Sequence, residues 1–99
     1  GKLIITSGPQ EGQTIPLLLA KVTIGRATNK ANWEIGLQDP SVSLPHARLE
    51  RINNNWMVYD LGSSNGTMVN DVVVTERGHI LRDGDMVIFG KTNVLFRAG

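Results

Sequence analysis

Apolar residues along this chain come in short runs broken by Gly, Pro, Asn, Asp or Ser, and helical spacing is scarce. Such punctuation predicts an all-β domain of about ten or eleven short strands. The expected strands begin with Leu3–Thr6, which ends in the turn Ser7-Gly8-Pro9. Gln13–Leu18 and Lys21–Gly25 are expected to pair as a hairpin around Leu19-Ala20. Trp33–Leu37 follows and stops at Asp39-Pro40. His46–Ile52 and Trp56–Leu61 flank Asn53-Asn54-Asn55, a turn because Asn tolerates positive φ. Within His46–Ile52, apolar Ala47, Leu49 and Ile52 sit among Arg48, Glu50 and Arg51, which predicts one wet face and one buried face. Met68-Val69 and Val72–Val74 flank Asn70-Asp71, a two-residue hairpin turn. Gly78–Leu81, Met86–Phe89 and Val94–Arg97 complete the set. Two antiparallel sheets packed face to face accommodate so many short strands.

Composition narrows the function. Ninety-nine residues form one domain with its own core, and the chain is expected to be a piece of a longer protein. There is no cysteine, hence no disulfide framework and no thiolate metal site; the two histidines are far apart, so no metal is expected. A formal charge of +1 argues against nucleic acid as a partner. The longest aliphatic run, Ile15–Ala20, is interrupted by Pro16 and too short for membrane insertion. A cytoplasmic location is expected, and self-association stays open.

Three polar segments carry candidate chemistry. Asp60–Asn70 is rich in hydroxyl and amide side chains and in glycine, a composition suited to a rigid loop with outward donors. Arg26 follows Gly25, which allows close backbone approach or an unusual φ, and a guanidinium fork is the best protein partner for a phosphate. Ser43 stands three residues before His46. With Asp60 these two could compose a hydrolase triad, but no nucleophile elbow or oxyanion segment is visible. A hydroxyl that donates to a bound anion, braced by His46, fits better. Asn65-Gly66-Thr67 also matches the N-glycosylation pattern, without a secretory signal to support it. Asp83-Gly84-Asp85 lacks the later acidic ligands of a calcium loop and reads as a turn. Trp33 and Trp56 are expected to pack against strands or in the core.

Taken in order, Gly25-Arg26, Ser43-Leu44-Pro45-His46-Ala47, Asp60-Leu61-Gly62-Ser63-Ser64-Asn65-Gly66-Thr67, Val69-Asn70 and Leu81-Arg82-Asp83-Gly84-Asp85 with Ile88 and Gly90 resemble the forkhead-associated (FHA) family. The resemblance implies an eleven-stranded antiparallel β-sandwich, SMAD/FHA-like, with its ligand loops at one end. It implies a non-catalytic module that binds phosphothreonine in a partner protein, with no cofactor. By motif, Arg26 and Ser43 would contact the phosphate, Ser64 would lie beside the phosphothreonine, and Asn65 would hold the peptide backbone. Gly25, His46, Gly66 and Asn70 would shape and brace the loops. Leu44 departs from the Arg or other polar residue usual after the serine, so one peptide contact is lost or becomes apolar. Thr28, Asn29 and Lys30 lengthen the segment after Arg26, and Lys30 offers a further contact. The competing reading is a phosphate-independent assembly domain that uses a sheet face or an edge strand.

Overall fold

The computed structural model describes residues 1–99. Eleven strands form: β1 Lys2–Ile5, β2 Thr14–Pro16, β3 Lys21–Arg26, β4 Ile35–Leu37, β5 Ala47–Ile52 and β6 Asn55–Asp60. They continue as β7 Thr67–Val69, β8 Val72–Val73, β9 His79–Leu81, β10 Met86–Phe89 and β11 Thr92–Arg97. One sheet has the order β2-β1-β11-β10-β7-β8 and the other β4-β3-β5-β6-β9. Strict alternation of burial along β1, β10 and β11 turns Leu3, Ile5, Val87, Phe89, Val94 and Phe96 inward from the first sheet. Val22, Ile24, Leu49 and Val58 meet them from the second. The two inner faces enclose a single core, as sandwich packing requires.

Local turn chemistry works as expected. Asn53 and Asn54 take φ of 50° and 68° between β5 and β6, and Asn70 and Asp71 take 46° and 70° between β7 and β8. Both pairs have positive φ at the two central positions, which twists a hairpin the way its strands need.

Two pairings differ from expectation. The Gln13–Leu18 and Lys21–Gly25 runs do not form a hairpin. β2 pairs with β1, Ile15 facing Leu3, while β3 pairs with β5, Val22 facing Leu49 and Ile24 facing Ala47. Each run therefore finds its partner in a different sheet, and Leu17–Ala20 is the crossing between them. The second difference is that β3 and β4 run parallel, with Ile24 beside Ile35 and Gly25 beside Gly36. The Ala27–Glu34 connection returns the chain to the same end before β4 begins. Trp33 belongs to that return and not to the strand, because its indole folds back over Gly25.

Truncating the core should expose its cooperativity. Phe89 is 1% exposed, and Phe89→Ala is expected to lower unfolding free energy by about 3–5 kcal/mol, read from the urea midpoint.

Candidate functional site

Four connections meet at one end of the sandwich: the end of β3, the β4–β5 segment, the β6–β7 loop and the β10–β11 turn. The centre of the cluster is His46, which is 0% exposed. Its Nδ1 accepts the Ser43 backbone N–H at 3.0 Å, and its Nε2 lies 2.8 Å from the Gly66 carbonyl. A backbone N–H can only donate and a carbonyl can only accept, so the ring carries its proton on Nε2. One side chain thus fastens the β4–β5 loop to the β6–β7 loop. Phe89 packs edge-on against the ring at 6.0 Å between centroids.

This arrangement removes the hydrolase reading on geometric grounds. Both ring nitrogens are committed to backbone groups, so neither is available to take a proton from the Ser43 hydroxyl. Asp60 does not orient the ring either. It accepts hydrogen bonds from the Gly62 and Ser63 N–H groups at 3.0 Å each, the Ser63 hydroxyl at 2.6 Å and the Thr67 hydroxyl at 2.8 Å.

Ser43, Ser64 and Asn65 lie together on the loop surfaces. The Ser64 N–H donates to Ser43 Oγ at 3.0 Å, which leaves the Ser43 hydroxyl hydrogen without an acceptor in the protein. Asn65 Nδ2 donates to the Ser41 carbonyl at 2.8 Å, tying the two loops again at their tips. From the third side, the Arg26 N–H donates to the Ser43 carbonyl at 3.1 Å, and Arg26 Nη1 donates to the Pro40 carbonyl at 3.1 Å. Arg26, Ser43, Ser64 and Asn65 line a cleft of about 410 Å³, with Leu44 and Leu61 on its walls. Arg26 is the one cation that lines it. Leu44 is 42% exposed there.

Of the bracing positions, Gly25 and Gly66 belong to the cluster and Asn70 does not. A Cβ on Gly25 would lie 2.5 Å from the Trp33 indole, so only glycine admits that ring. Trp33 Nε1 then donates to the Arg26 carbonyl at 2.9 Å and steadies the residue that carries the guanidinium. The Gly66 carbonyl accepts both His46 Nε2 and the Gly90 N–H. Asn70 sits at the far end of β7, where its carboxamide donates to Asp85 Oδ1 at 2.8 Å and accepts the Met86 N–H at 2.9 Å. It braces the β7–β8 turn against the start of β10, away from the cleft. Lys30 lies outside the cleft lining as well.

Sequence reasoning missed Asp39 as a functional support. Its carboxylate accepts the Ser41 N–H at 2.8 Å, the Ser41 hydroxyl at 2.6 Å, the Lys91 N–H at 3.1 Å and the Thr92 hydroxyl at 2.8 Å. It thereby pins the β4–β5 loop to the β10–β11 turn. Gly90 completes the contact: its φ is +61°, and a Cβ there would fall 2.8 Å from the Ser41 carbonyl. The Asp-Pro-Ser sequence at 39–41 was the available signal, since Asp caps the second residue after it in a turn.

Burial disfavours the Asp39 charge, but hydrogen bonds from the Ser41 hydroxyl, Ser41 N–H, Thr92 hydroxyl and Lys91 N–H outweigh it and hold its pKa at about 2. Asp60 is also held below the ordinary carboxylate range, burial being outweighed mainly by the Ser63 and Thr67 hydroxyls and the Ser63 N–H. Both carboxylates spend their lone pairs inward on loop donors and leave the cleft itself to Arg26.

A family model for the FHA domain matches residues 22–90. The chain belongs to the FHA family. This FHA domain is 36% identical over 97 residues to the glycogen accumulation regulator GarA of Mycobacterium tuberculosis, covering 98% of the chain and 57% of that protein. It is 34% identical over 97 residues to an FHA domain-containing protein of Arabidopsis thaliana, covering 95% of the chain and 25% of that protein. The chain therefore spans from a quarter to just over half the length of these relatives. A solved structure from a structural and functional analysis of phosphothreonine-dependent FHA domain interactions superposes with a TM-score of 0.82. Its sequence identity is 29%, and 97% of this chain and 93% of that chain are covered. No group of three or more His, Cys, Asp or Glu side chains is placed to hold a metal ion. No helix is long and apolar enough to cross a membrane.

The Asp39 carboxylate sets a pH dependence. Its pKa is about 2 in the fold against an ordinary 3.8, so the unfolded chain binds the proton more readily. The stabilisation is complete above the ordinary value and is lost as pH falls from there toward the folded value. The urea midpoint should drop across that window, and Asp39→Asn should flatten the drop. At neutral pH the same substitution should cost about 1.5–3 kcal/mol, the scale of hydrogen bonds to a charged group.

Proposed function

We propose that this FHA domain is a non-catalytic reader of phosphothreonine in a partner protein. FHA domains recognise phosphorylated motifs through basic residues. The observation that carries the reading for this chain is the composition of its cleft. A single guanidinium faces unspent hydroxyls, and nothing acidic lines the wall. A phosphoryl group at pH 7 brings a charge of about −1.5 to −2 and three acceptor oxygens. Arg26 supplies the charge-assisted donor. Ser43 donates the hydroxyl hydrogen that the Ser64 N–H has left without competition, and the Ser64 hydroxyl donates from the opposite side. Asn65 holds the peptide backbone next to the phosphothreonine through the part of its carboxamide not committed to Ser41.

The cleft does this without chemistry on the ligand. His46 is locked between two backbone groups, so no base stands beside Ser43. Rigid loops have a binding role instead: donors already held in place lose little freedom when the phosphate arrives. Regulation by phosphorylation of the partner is the role this supports, and the name of the GarA relative fits a regulatory use of such a domain. Leu44 and Leu61 offer the peptide apolar contact where a polar side chain would offer a hydrogen bond.

Titration calorimetry with a phosphothreonine peptide, selected from an oriented library, tests the reading. Arg26→Ala should weaken binding by roughly ten- to a hundredfold, equivalent to about 1.5–3 kcal/mol. Affinity should also fall with added salt and below about pH 6, where the phosphate takes up a proton. A peptide that binds equally well after dephosphorylation, or in Arg26→Ala, would point to the phosphate-independent assembly domain instead.

A further inference from the structure

The strand register sets Arg51, Trp56 and Leu81 in one row across β5, β6 and β9. Directly paired residues share a sheet face, and Trp56 and Leu81 belong to the core, so the row faces inward. Along β5 the inward positions Ala47 and Leu49 are thus followed by a cation. This row closes the second sheet at the end opposite His46, which precedes the other end of β5. There the two sheets part around a mouth of about 310 Å³, with Phe96 of β11 across from the row. Arg82, just past the end of β9, lines it as well. No residue of the phosphopeptide cleft does.

Three donor groups line this mouth without an acceptor in the protein. The ion pairs of the chain engage Lys21, Arg48 and Arg97, which leaves the Arg51 and Arg82 guanidiniums free. Trp56 is 6% exposed and its indole N–H makes no hydrogen bond, although every fully buried polar side-chain atom has a partner. Its Nε1 therefore reaches solvent. It does so at the mouth, where a Cβ on Gly1 would fall 2.9 Å from it. The one acid of the lining, Asp83, is engaged elsewhere: its Oδ1 accepts the Ala98 N–H at 2.9 Å and pairs with Arg97 Nε at 3.4 Å.

Indole and guanidinium N–H groups can only donate, so a ligand here must supply acceptors, and two cations favour one that is negatively charged. A phosphoryl group brings the charge and three acceptor oxygens, and its geometry suits guanidinium forks. We propose that the mouth formed by Arg51, Trp56 and Arg82 is a second anion site of this chain, which binds a phosphoryl group. Trp56 donates to one oxygen from the floor, and the two guanidiniums engage the others from the rim. Both forks are exposed to water, so a bare anion binds weakly, with a dissociation constant on the order of 1–10 mM. The phosphoryl group arrives either on a small molecule or on a protein segment. This site does not depend on phosphothreonine binding in the cleft.

The two indole N–H groups report the two ends separately, since Trp33 Nε1 sits on the Arg26 carbonyl and Trp56 Nε1 at the mouth. Each gives its own signal in a proton–nitrogen correlation spectrum, recorded while inorganic phosphate is titrated into Arg26→Ala, in which the cleft is disabled. The Trp56 signal should shift saturably, and sodium chloride at matched ionic strength should leave it in place. Arg51→Gln/Arg82→Gln in the same background should weaken that response about tenfold. Both side chains are exposed, so its thermal midpoint should not change. A phosphothreonine peptide then separates the sources. Tighter binding than inorganic phosphate at Trp56 assigns the mouth to a phosphorylated protein segment, and equal or weaker binding to a small phosphate compound. A Trp56 signal that stays still, that follows chloride equally, or that shifts undiminished in the double variant overturns the proposal.

Discussion

The two hydrogen bonds of the His46 ring are the constraint on which the site depends. An imidazole with no solvent contact must satisfy both nitrogens within the protein, and here one accepts from Ser43 and the other donates to Gly66. Those backbone groups belong to different loops, β4–β5 within one sheet and β6–β7 crossing from that sheet to the other. Because the ring is rigid and its proton is fixed by its partners, the separation of the loops is fixed as well. Ser43, Ser64 and Asn65 inherit their positions from that clamp. The same ring packs on Phe89, so the ligand loops are joined directly to the core.

Around the clamp, the protein solves a difficulty common to anion sites. Loops need polar anchors, and carboxylates are the strongest acceptors for backbone N–H groups, but a negative charge in the wall would repel a phosphate. Asp39 and Asp60 are therefore each enclosed by four donors, hydroxyl and backbone, and neither carboxylate lines the cleft. Those hydrogen bonds hold both carboxylates below their ordinary range despite burial. What remains for a ligand is one guanidinium and hydroxyl hydrogens. The cleft is electropositive because its acids are turned inward, not because it is crowded with bases.

The outer surfaces divide in a related way. The solvent face of the β3-β5-β6 layer carries an ion-paired set, with Lys21 and Arg48 both on Glu50 and Arg48 stacked over Tyr59 at 4.8 Å. Such a face is content in water. The crossing at Leu18-Leu19 is not, its leucines being largely exposed. Beside it the Gln10 carboxamide donates to the Gly36 carbonyl and accepts the Gln38 N–H along β4, and Pro16 ends β2 without an N–H to offer. Protected edges keep this apolar surface from joining strand to strand, the pairing that leads to aggregation.

The chain by itself determined the β class, the Asn turns and the polar segments that carry Arg26, Ser43, Ser64 and Asn65. These depend on alternation and on φ preferences, and both are properties of neighbouring residues. His46 was legible as a brace because it stands three residues from Ser43 within one segment. Tertiary structure decided the rest. It gave β2 to β1 and β3 to β5, although only Leu19-Ala20 separates the apolar runs that contain β2 and β3. It laid β4 parallel to β3, set Asn70 at the wrong end of β7 to serve the cleft, and made Asp39 an anchor for a turn fifty-two residues away at Lys91. A strand's partner, and the far end of a carboxylate's hydrogen bonds, are settled by which surfaces meet when the two sheets close. That closure is a property of the whole core, and no local stretch of sequence contains it.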